Sequence, residues 1–268
     1  MERFDLSAIL EHLPQEHPWG KRISCYDCVE STNTLAKAMA LEGAAEGTIL
    51  IADRQTGGRG RLGRRFLSPA GMGIYMSVIL RPNCPPAQLM HLTCAAAVAA
   101  ADAVKDAAGI DCGIKWTNDL VVGTKKLGGI LTALQIDPNT GLVSAAILGI
   151  GINCLQSKGD FPPELRDMAT SLAMHTKRCD PAVLAAALIR RLQQMDGQLR
   201  EKKQIMASYK ARCVTLGKEV SWLAGDTLHH GTALDLDENG GLVLQLSDGT
   251  TKIAAFGEVS IRGMYGYL

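Results

Sequence analysis

Apolar and polar positions recur with two different periods along this chain, and the change of period marks its organisation. In residues 31–43 (STNTLAKAMALEG), Leu35, Ala38 and Met39 share one helical face. A hydroxyl or Asn opens that segment and Gly43 closes it, which predicts a helix. Residues 47–53 (GTILIAD) and 73–80 (GIYMSVIL) read as short apolar strands on either side of a Gly/Arg loop at 57–65. Pro82, Pro85 and Pro86 break the chain before an Ala-rich helix from about 87 to about 108. Strands follow at 113–116, 120–122, 127–136 and 142–150. The last two flank Asp137-Pro138-Asn139-Thr140-Gly141, whose turn chemistry predicts an antiparallel hairpin. Asp180 and Pro181 supply the cap and first-turn proline of a helix to about 200, and a shorter helix reaches about 212.

Near Thr215 the period becomes two. Leu242-Val243-Leu244-Gln245-Leu246 lies between turns at Asn239-Gly240-Gly241 and Ser247-Asp248-Gly249, and several short strands are expected. So small a β unit is marginal alone and is expected to lean on the larger one. The chain therefore divides into residues 1–213 and 214–268.

Composition narrows the function. With 268 residues, 47% hydrophobic, 21% charged and a net charge of +1, the chain reads as an ordinary globular protein, not one built as a whole around nucleic-acid phosphates. Any anion site must be local. Glu2 and Asp5 interrupt the amino terminus where a signal peptide needs an apolar core. The most apolar stretch, 87–101, contains Gln88, His91 and Thr93 and reads as a buried helix, so no membrane association is expected. The eight cysteines then read as reduced thiols of a cytoplasmic protein. Cys25 and Cys28 have CxxC spacing but no second pair, and packing roles are expected for them. There is no HExxH, and His229-His230 precede a turn in a polar stretch, so no protein-only metal site stands out.

Candidate chemistry concentrates in three places. Arg54, Arg59, Arg61, Arg64 and Arg65 are spaced by Gly57, Gly58, Gly60 and Gly63. Glycines let backbone N–H groups face a ligand, and arginines offer planar forks for phosphate or carboxylate oxygens. An ordered form of so basic a loop is expected to need an anionic ligand. It is not a Walker A loop, because Arg64-Arg65 stand where Lys-Ser/Thr would be needed. Lys115-Trp116-Thr117-Asn118-Asp119 puts a cation, an amide and a carboxylate at a strand junction, fit for phosphate, base or ribose, and Mg2+ respectively. Lys126 precedes Leu127-Gly128-Gly129, where glycines admit a ligand against a strand. Gly149 and Gly151 follow a strand but reach Cys154 where a dinucleotide fingerprint needs glycine, so close backbone packing explains them. Each piece alone also fits a solvated basic turn or a surface ion pair.

Taken in order, these segments resemble the biotin protein ligase family. The matching pieces are Ser31-Thr32-Asn33, Gln55 with residues 58–64 (GRGRLGR), residues 115–119 (KWTND), 126–129 (KLGG) and 149–153 (GIGIN), spread over about half the chain. Residues 257–263 (GEVSIRG) also resemble the family's small SH3-like domain. The resemblance implies an α+β fold with a central mixed sheet flanked by helices, similar to class II aminoacyl-tRNA synthetases, plus a small C-terminal SH3-like barrel. It implies that biotin and ATP give biotinyl-5′-AMP and pyrophosphate, after which a lysine of a biotin carrier domain, such as that of acetyl-CoA carboxylase, displaces AMP.

By the same resemblance Ser31, Thr32, Asn33 and Gln55 would bond biotin's ring, with Gly58, Gly60 and Gly129 in the same pocket. Arg59 and Arg61 would hold the carboxylate, α-phosphate and pyrophosphate, with Arg64 assisting. Lys126 would sit between carboxylate and α-phosphate. Phe66, Lys115, Asn118 and Asn153 would serve ATP and the adenylate, Asn153 at adenine. Asp119 would hold Mg2+ or orient the incoming lysine.

Three departures stand out: Thr117 replaces a usual proline, so a looser turn is expected; Phe66 replaces a frequent tryptophan; and Glu238 stands where lysine is common. Only about thirty residues precede Ser31, so the monofunctional type without a DNA-binding domain is expected. Monomer and homodimer stay equally open. The competing readings are a lipoate or octanoate ligase of the same fold, and a nucleic-acid-binding repressor module.

Overall fold

The eight residues Gly73–Leu80 are buried throughout, which places this strand inside a sheet covered on both faces. The computed structural model describes residues 5–224, 227–255 and 258–261. Its main sheet has seven strands: β1 (Ile23–Val29), β2 (Thr48–Gln55), β3 (Gly73–Leu80), β4 (Gly113–Lys115), β5 (Asp119–Val122), β6 (Lys125–Ile136) and β7 (Val143–Asn153). Their order is β1-β2-β3-β7-β6-β5-β4, with β1 and β2 parallel and all other neighbours antiparallel. The β6–β7 hairpin forms where expected: Asp137 Oδ1 accepts from Asn139 N at 2.7 Å, and Gly141 takes φ +70°.

Among the described residues five α-helices flank the sheet: α1 (Leu6–Glu11), α2 (Thr32–Leu41), α3 (Leu92–Ala108), α4 (Pro181–Gly197) and α5 (Lys202–Arg212). Alternation within the strands separates two cores. Ile49, Val78, Ala146 and Leu148 face α3 and α4, whereas Leu50, Ile79, Ala145 and Ile147 face Ala36 and Ala40 of α2. The alanines of α3 let α4 approach closely, and both helices bury their small residues between them. Residues Pro86–Ala108 are apolar and long enough to cross a bilayer, yet two-thirds of their most apolar stretch is buried inside the fold, as a core helix requires.

Two sequence expectations need correction, and two elements, α1 and β1, are not read from the sequence. α3 opens at Leu92, because Pro86–Leu89 forms a separate 3-10 turn. α1 and β1 carry too weak an apolar period to be read from sequence: β1 is an edge strand with Asp27 and Cys28 exposed. His229 and His230 lie within a strand, Thr227–Leu236, which leads into the turn at 237–240. The Thr117 turn is tightly held, as described below. The CxxC pair lies on β1, where positions three apart point to opposite faces, so the two thiols do not form a pair.

The small C-terminal unit is an antiparallel sheet of β8 (Glu219–Ala224), β9 (Thr227–Leu236), β10 (Leu242–Leu246), β11 (Thr251–Ala254) and β12 (Glu258–Ile261), in the order β11-β10-β9-β8-β12. It leans on the larger unit as anticipated. Ala233, Leu236, Leu242 and Leu244 join the same apolar core as Met206 and Tyr209 of α5. Lys210 pairs with Asp235 at 2.7 Å, and Trp116 Nε1 donates to Gly240 O at 2.8 Å. Of the family-like segment 257–263, only residues 258–261 lie within the described residues.

Candidate active site

On the α2 face of β7 the side chains run Ala145, Ile147, Gly149, Gly151, Asn153. The first two support α2, and the two glycines beyond its N-terminus form the floor of a cleft. A Cβ at Gly149 would lie 2.6 Å from Asn33 Oδ1, and one at Gly151 would lie 2.6 Å from the Phe66 ring. Close packing therefore accounts for both glycines, as the sequence suggested. The cleft encloses about 230 Å³. Every residue that the resemblance assigned to the site lines it except Gly58, which is buried beside it against Phe66 O.

The inner end is neutral and tightly bonded. Ser31 caps α2, its Oγ accepting from Thr34 N at 3.4 Å. Thr32 N donates to Gln55 Oε1 at 2.8 Å, and Gln55 Nε2 donates to Ser68 Oγ at 2.9 Å. Asn33 Nδ2 donates to Leu131 O at 3.3 Å. Ser31, Thr32 and Asn33 are all buried, so the polar atoms here are held by the protein before any ligand arrives.

The outer rim is cationic. Residues 58–66 close into a small hairpin: Phe66 N donates to Gly58 O at 2.9 Å, Gly60 N to Arg64 O at 2.7 Å, and Arg61–Gly63 forms a 3-10 turn. Arg61 reaches across the cleft from this hairpin, donating to Thr117 Oγ1 and Asn118 Oδ1, both at 3.1 Å. Arg59 pairs with Glu30 at 3.0 Å on the exposed side, a contact worth roughly 0–1 kcal/mol. Arg64, Lys115 and Lys126 also line the cleft. Arg54 is exposed on β2 and lies outside it.

The 115–119 junction is pinned on every side. Trp116 N donates to Thr215 Oγ1 at 2.9 Å, Tyr209 Oη donates to Thr117 O at 2.9 Å, and Ile130 N donates to Asn118 O at 2.9 Å. Asn118 Nδ2 returns a bond to Ile130 O at 2.9 Å. The Trp116–Thr117 peptide is cis. Thr117 therefore does not loosen the turn.

Lys126 Nζ lies 2.7 Å from Asp119 Oδ1, the one carboxylate lining the cleft among the described residues. That oxygen is thus engaged, and no group of three His, Cys, Asp or Glu among the described residues stands ready for a metal. Asp119 keeps a second oxygen, and a Mg2+ that arrives with phosphate needs only one or two protein carboxylates.

The far wall was not legible in the sequence. Phe161, Leu165, Met168 and Ala169 line the cleft from an irregular segment after β7. Lys126 and Asn153 sew that segment in place: Lys126 N donates to Met168 O at 2.8 Å, Thr170 N to Lys126 O at 2.8 Å, and Asn153 Nδ2 to Thr170 O at 3.0 Å. Phe66 stands opposite over Gly151, edge-on to Tyr75 with ring centres 6.3 Å apart. The two sides make an apolar slot suited to a flat ring. The apolar residues of 161–169 fall in a stretch without helical or strand period, so only their density gave a signal.

Thiol chemistry finds no support here. Burial pushes Cys25 up to about 11 and Cys94 and Cys112 up to about 12, keeping these thiols protonated, and none of the cysteines lines the cleft. What the cleft offers instead is a bonded neutral end, a ring of cations, and an apolar slot. It can bring two anions together and stabilise charge passing between them.

Known proteins resemble this chain over most of its length. Residues 25–153 match the biotin/lipoate A/B protein ligase family, and residues 215–262 match the biotin protein ligase C terminal domain. The chain is 35% identical to the bifunctional ligase/repressor BirA of Bacillus subtilis, over 87% of this chain and 72% of that protein. It is 33% identical to the biotin–acetyl-CoA-carboxylase ligase of Mycobacterium tuberculosis, over 87% of this chain and 86% of that one. The structure of biotin protein ligase from Aquifex aeolicus in complex with biotin and ATP superposes with a TM-score of 0.76 at 31% identity, covering 90% of this chain and 99% of that one.

Proposed function

This chain belongs to the biotin protein ligase family, and from that premise we propose that it uses ATP to join biotin to a lysine of a carrier protein. The observation that carries the reading is one cleft with a neutral hydrogen-bonding end, a rim of Arg59, Arg61, Arg64, Lys115 and Lys126, and an apolar slot. In the first step a biotin carboxylate oxygen attacks the α-phosphorus of ATP, and pyrophosphate leaves. In the second, the ε-amine of the carrier lysine attacks the acyl carbon, the acyl–phosphate bond breaks, and AMP leaves.

A carboxylate is a weak nucleophile toward a polyanion, so neutralising and aligning the partners is the main requirement. We assign Ser31, Thr32, Asn33 and Gln55, with Gly58, Gly60 and Gly129, to the biotin ring and chain. Arg59 and Arg61 are assigned to the carboxylate and phosphates, with Arg64 and Lys115 at the phosphates. Lys126 is assigned to bridge carboxylate and α-phosphate, a reading supported by its place on the cleft and its pair with Asp119. Phe66, Asn118 and Asn153 are assigned to the nucleotide, Asn153 mainly by holding the 161–170 wall. We propose that magnesium accompanies ATP as its counter-ion.

The carrier is proposed to be the biotin domain of acetyl-CoA carboxylase, by analogy with the Mycobacterium relative, and the setting the cytoplasm. We propose that residues 1–213 carry the chemistry and residues 214–268 form the appended β domain. Biotin-dependent release of AMP, with and without an acceptor domain, tests the reading. Pyrophosphate exchange with lipoate but not with biotin would contradict it.

A further inference from the structure

Cys154 follows directly on β7, and Cys179, 25 residues farther on, stands just before Asp180, the cap of α4. The chain between them leaves the sheet and returns, so its two ends meet. Cys154 O accepts from Ala173 N at 2.8 Å and from the Cys179 thiol at 3.3 Å. The two sulfurs are also hydrogen-bonding partners of each other. Between these ends hangs the apolar wall of the cleft, Phe161, Leu165, Met168 and Ala169, in a segment with no helix longer than a single 3-10 turn. Asn153, next to Cys154, holds Thr170 of that segment.

The two thiols differ in access. Cys154 is fully buried, whereas Cys179 is half-buried. The bond to Cys154 lowers the Cys179 thiol from its ordinary value, and the same bond, reinforced by burial, raises Cys154. Cys179 is therefore the sulfur that ionises first and meets a reagent from solvent. The other cysteines do not combine these features. Cys94 and Cys213 also neighbour one another, but both are buried, and Cys25 and Cys28 point to opposite faces of β1.

We propose that Cys154 and Cys179 form an oxidisable dithiol, a modification site for a hydroperoxide, whose disulfide staples the apolar wall of the cleft to the end of β7. The Cys179 thiolate attacks one peroxide oxygen, the O–O bond breaks, and the departing hydroxide takes a proton and leaves as water. The Cys154 sulfur then attacks the resulting sulfenic sulfur, its proton passes to the departing hydroxyl, and a second water leaves. Two thiols are oxidised to one disulfide, and one peroxide is reduced to two waters. The new bond shortens the contact to about 2.05 Å and closes a ring around the wall segment, which restricts its opening. The dithiol is independent of the reaction assigned to the cleft.

The test treats the full chain with hydrogen peroxide, blocks the remaining thiols, and maps peptides by mass spectrometry without reductant. A Cys154–Cys179 crosslink should form, reversed by dithiothreitol, while the exposed Cys28 stays free for alkylation. Cys154→Ala should stop at a sulfenic acid on Cys179, trapped by dimedone, and Cys179→Ser should give no crosslink. Amide hydrogen exchange across residues 161–170 should slow about tenfold in the oxidised protein and stay unchanged in peroxide-treated Cys179→Ser. Cys154 and Cys179 still free after peroxide, Cys28 oxidised ahead of them, or Cys179 joined to a different cysteine would overturn the site. Unchanged exchange of the wall in crosslinked protein would overturn the staple.

Discussion

At the scale of single residues, the ammonium of Lys126 carries the largest assigned share of the chemistry while contributing little to the fold. Its pair with Asp119 is partly solvent-exposed, so its loss costs roughly 0–1 kcal/mol of stability. Lys126→Ala is therefore expected to lower adenylate formation by about 100- to 1000-fold with the melting temperature nearly unchanged, read by pyrophosphate exchange beside calorimetry. Arg61 differs, because it bridges the Gly/Arg hairpin to Thr117 and Asn118 across the cleft. Arg61→Gln is expected to unlatch that bridge and let biotinyl-5′-AMP escape. Trapping with hydroxylamine in solution should then capture intermediate that the wild-type protein retains.

At the scale of elements, β7 divides its α2 face between support and vacancy. Ala145 and Ile147 carry the helix, then two glycines withdraw so that Asn33 and Phe66 can rest on the strand backbone. The two positions should fail differently. Gly149→Ala pushes against Asn33 and is expected to raise KM for biotin tenfold or more. Gly151→Ala pushes against Phe66 and is expected to act chiefly on KM for ATP. The magnitudes follow from a 2.6 Å approach in both cases, which forces a side chain or the strand to move. Separate titration of the two substrates distinguishes them.

At the scale of the whole molecule, the β domain is tied to the cleft through Trp116, a lining residue whose indole donates to Gly240 O. Stability has its own pH signature at the other end of the fold. Burial, with Glu46 nearby, pushes Asp196 at the end of α4 up to about 6 from an ordinary 3.8. A raised carboxyl favours the protonated folded state, so its cost is absent below about pH 4, grows as pH rises through 6 and is complete above it. Asp196→Asn should raise stability by about 1–2 kcal/mol at pH 8, after discounting for solvent screening, and by almost nothing at pH 4. Denaturant midpoints at the two values check this.

The sequence by itself determined the local structure wherever a short-range rule governs it. Ser31 and Asp180 cap helices, Asp137 and Gly141 turn the hairpin, and β3 is buried end to end because its apolar run has no polar alternation. It also named the polar residues of the cleft, because so charge-dense a loop between two apolar strands has few purely structural uses. Tertiary structure decided what no local rule reaches. The edge strand β1 and the apolar wall at 161–169 draw their meaning from partners far away in the chain. Lys126 meets Met168, Asn33 meets Leu131, and Trp116 meets Gly240 only once the sheet has set its register and the helices have covered it.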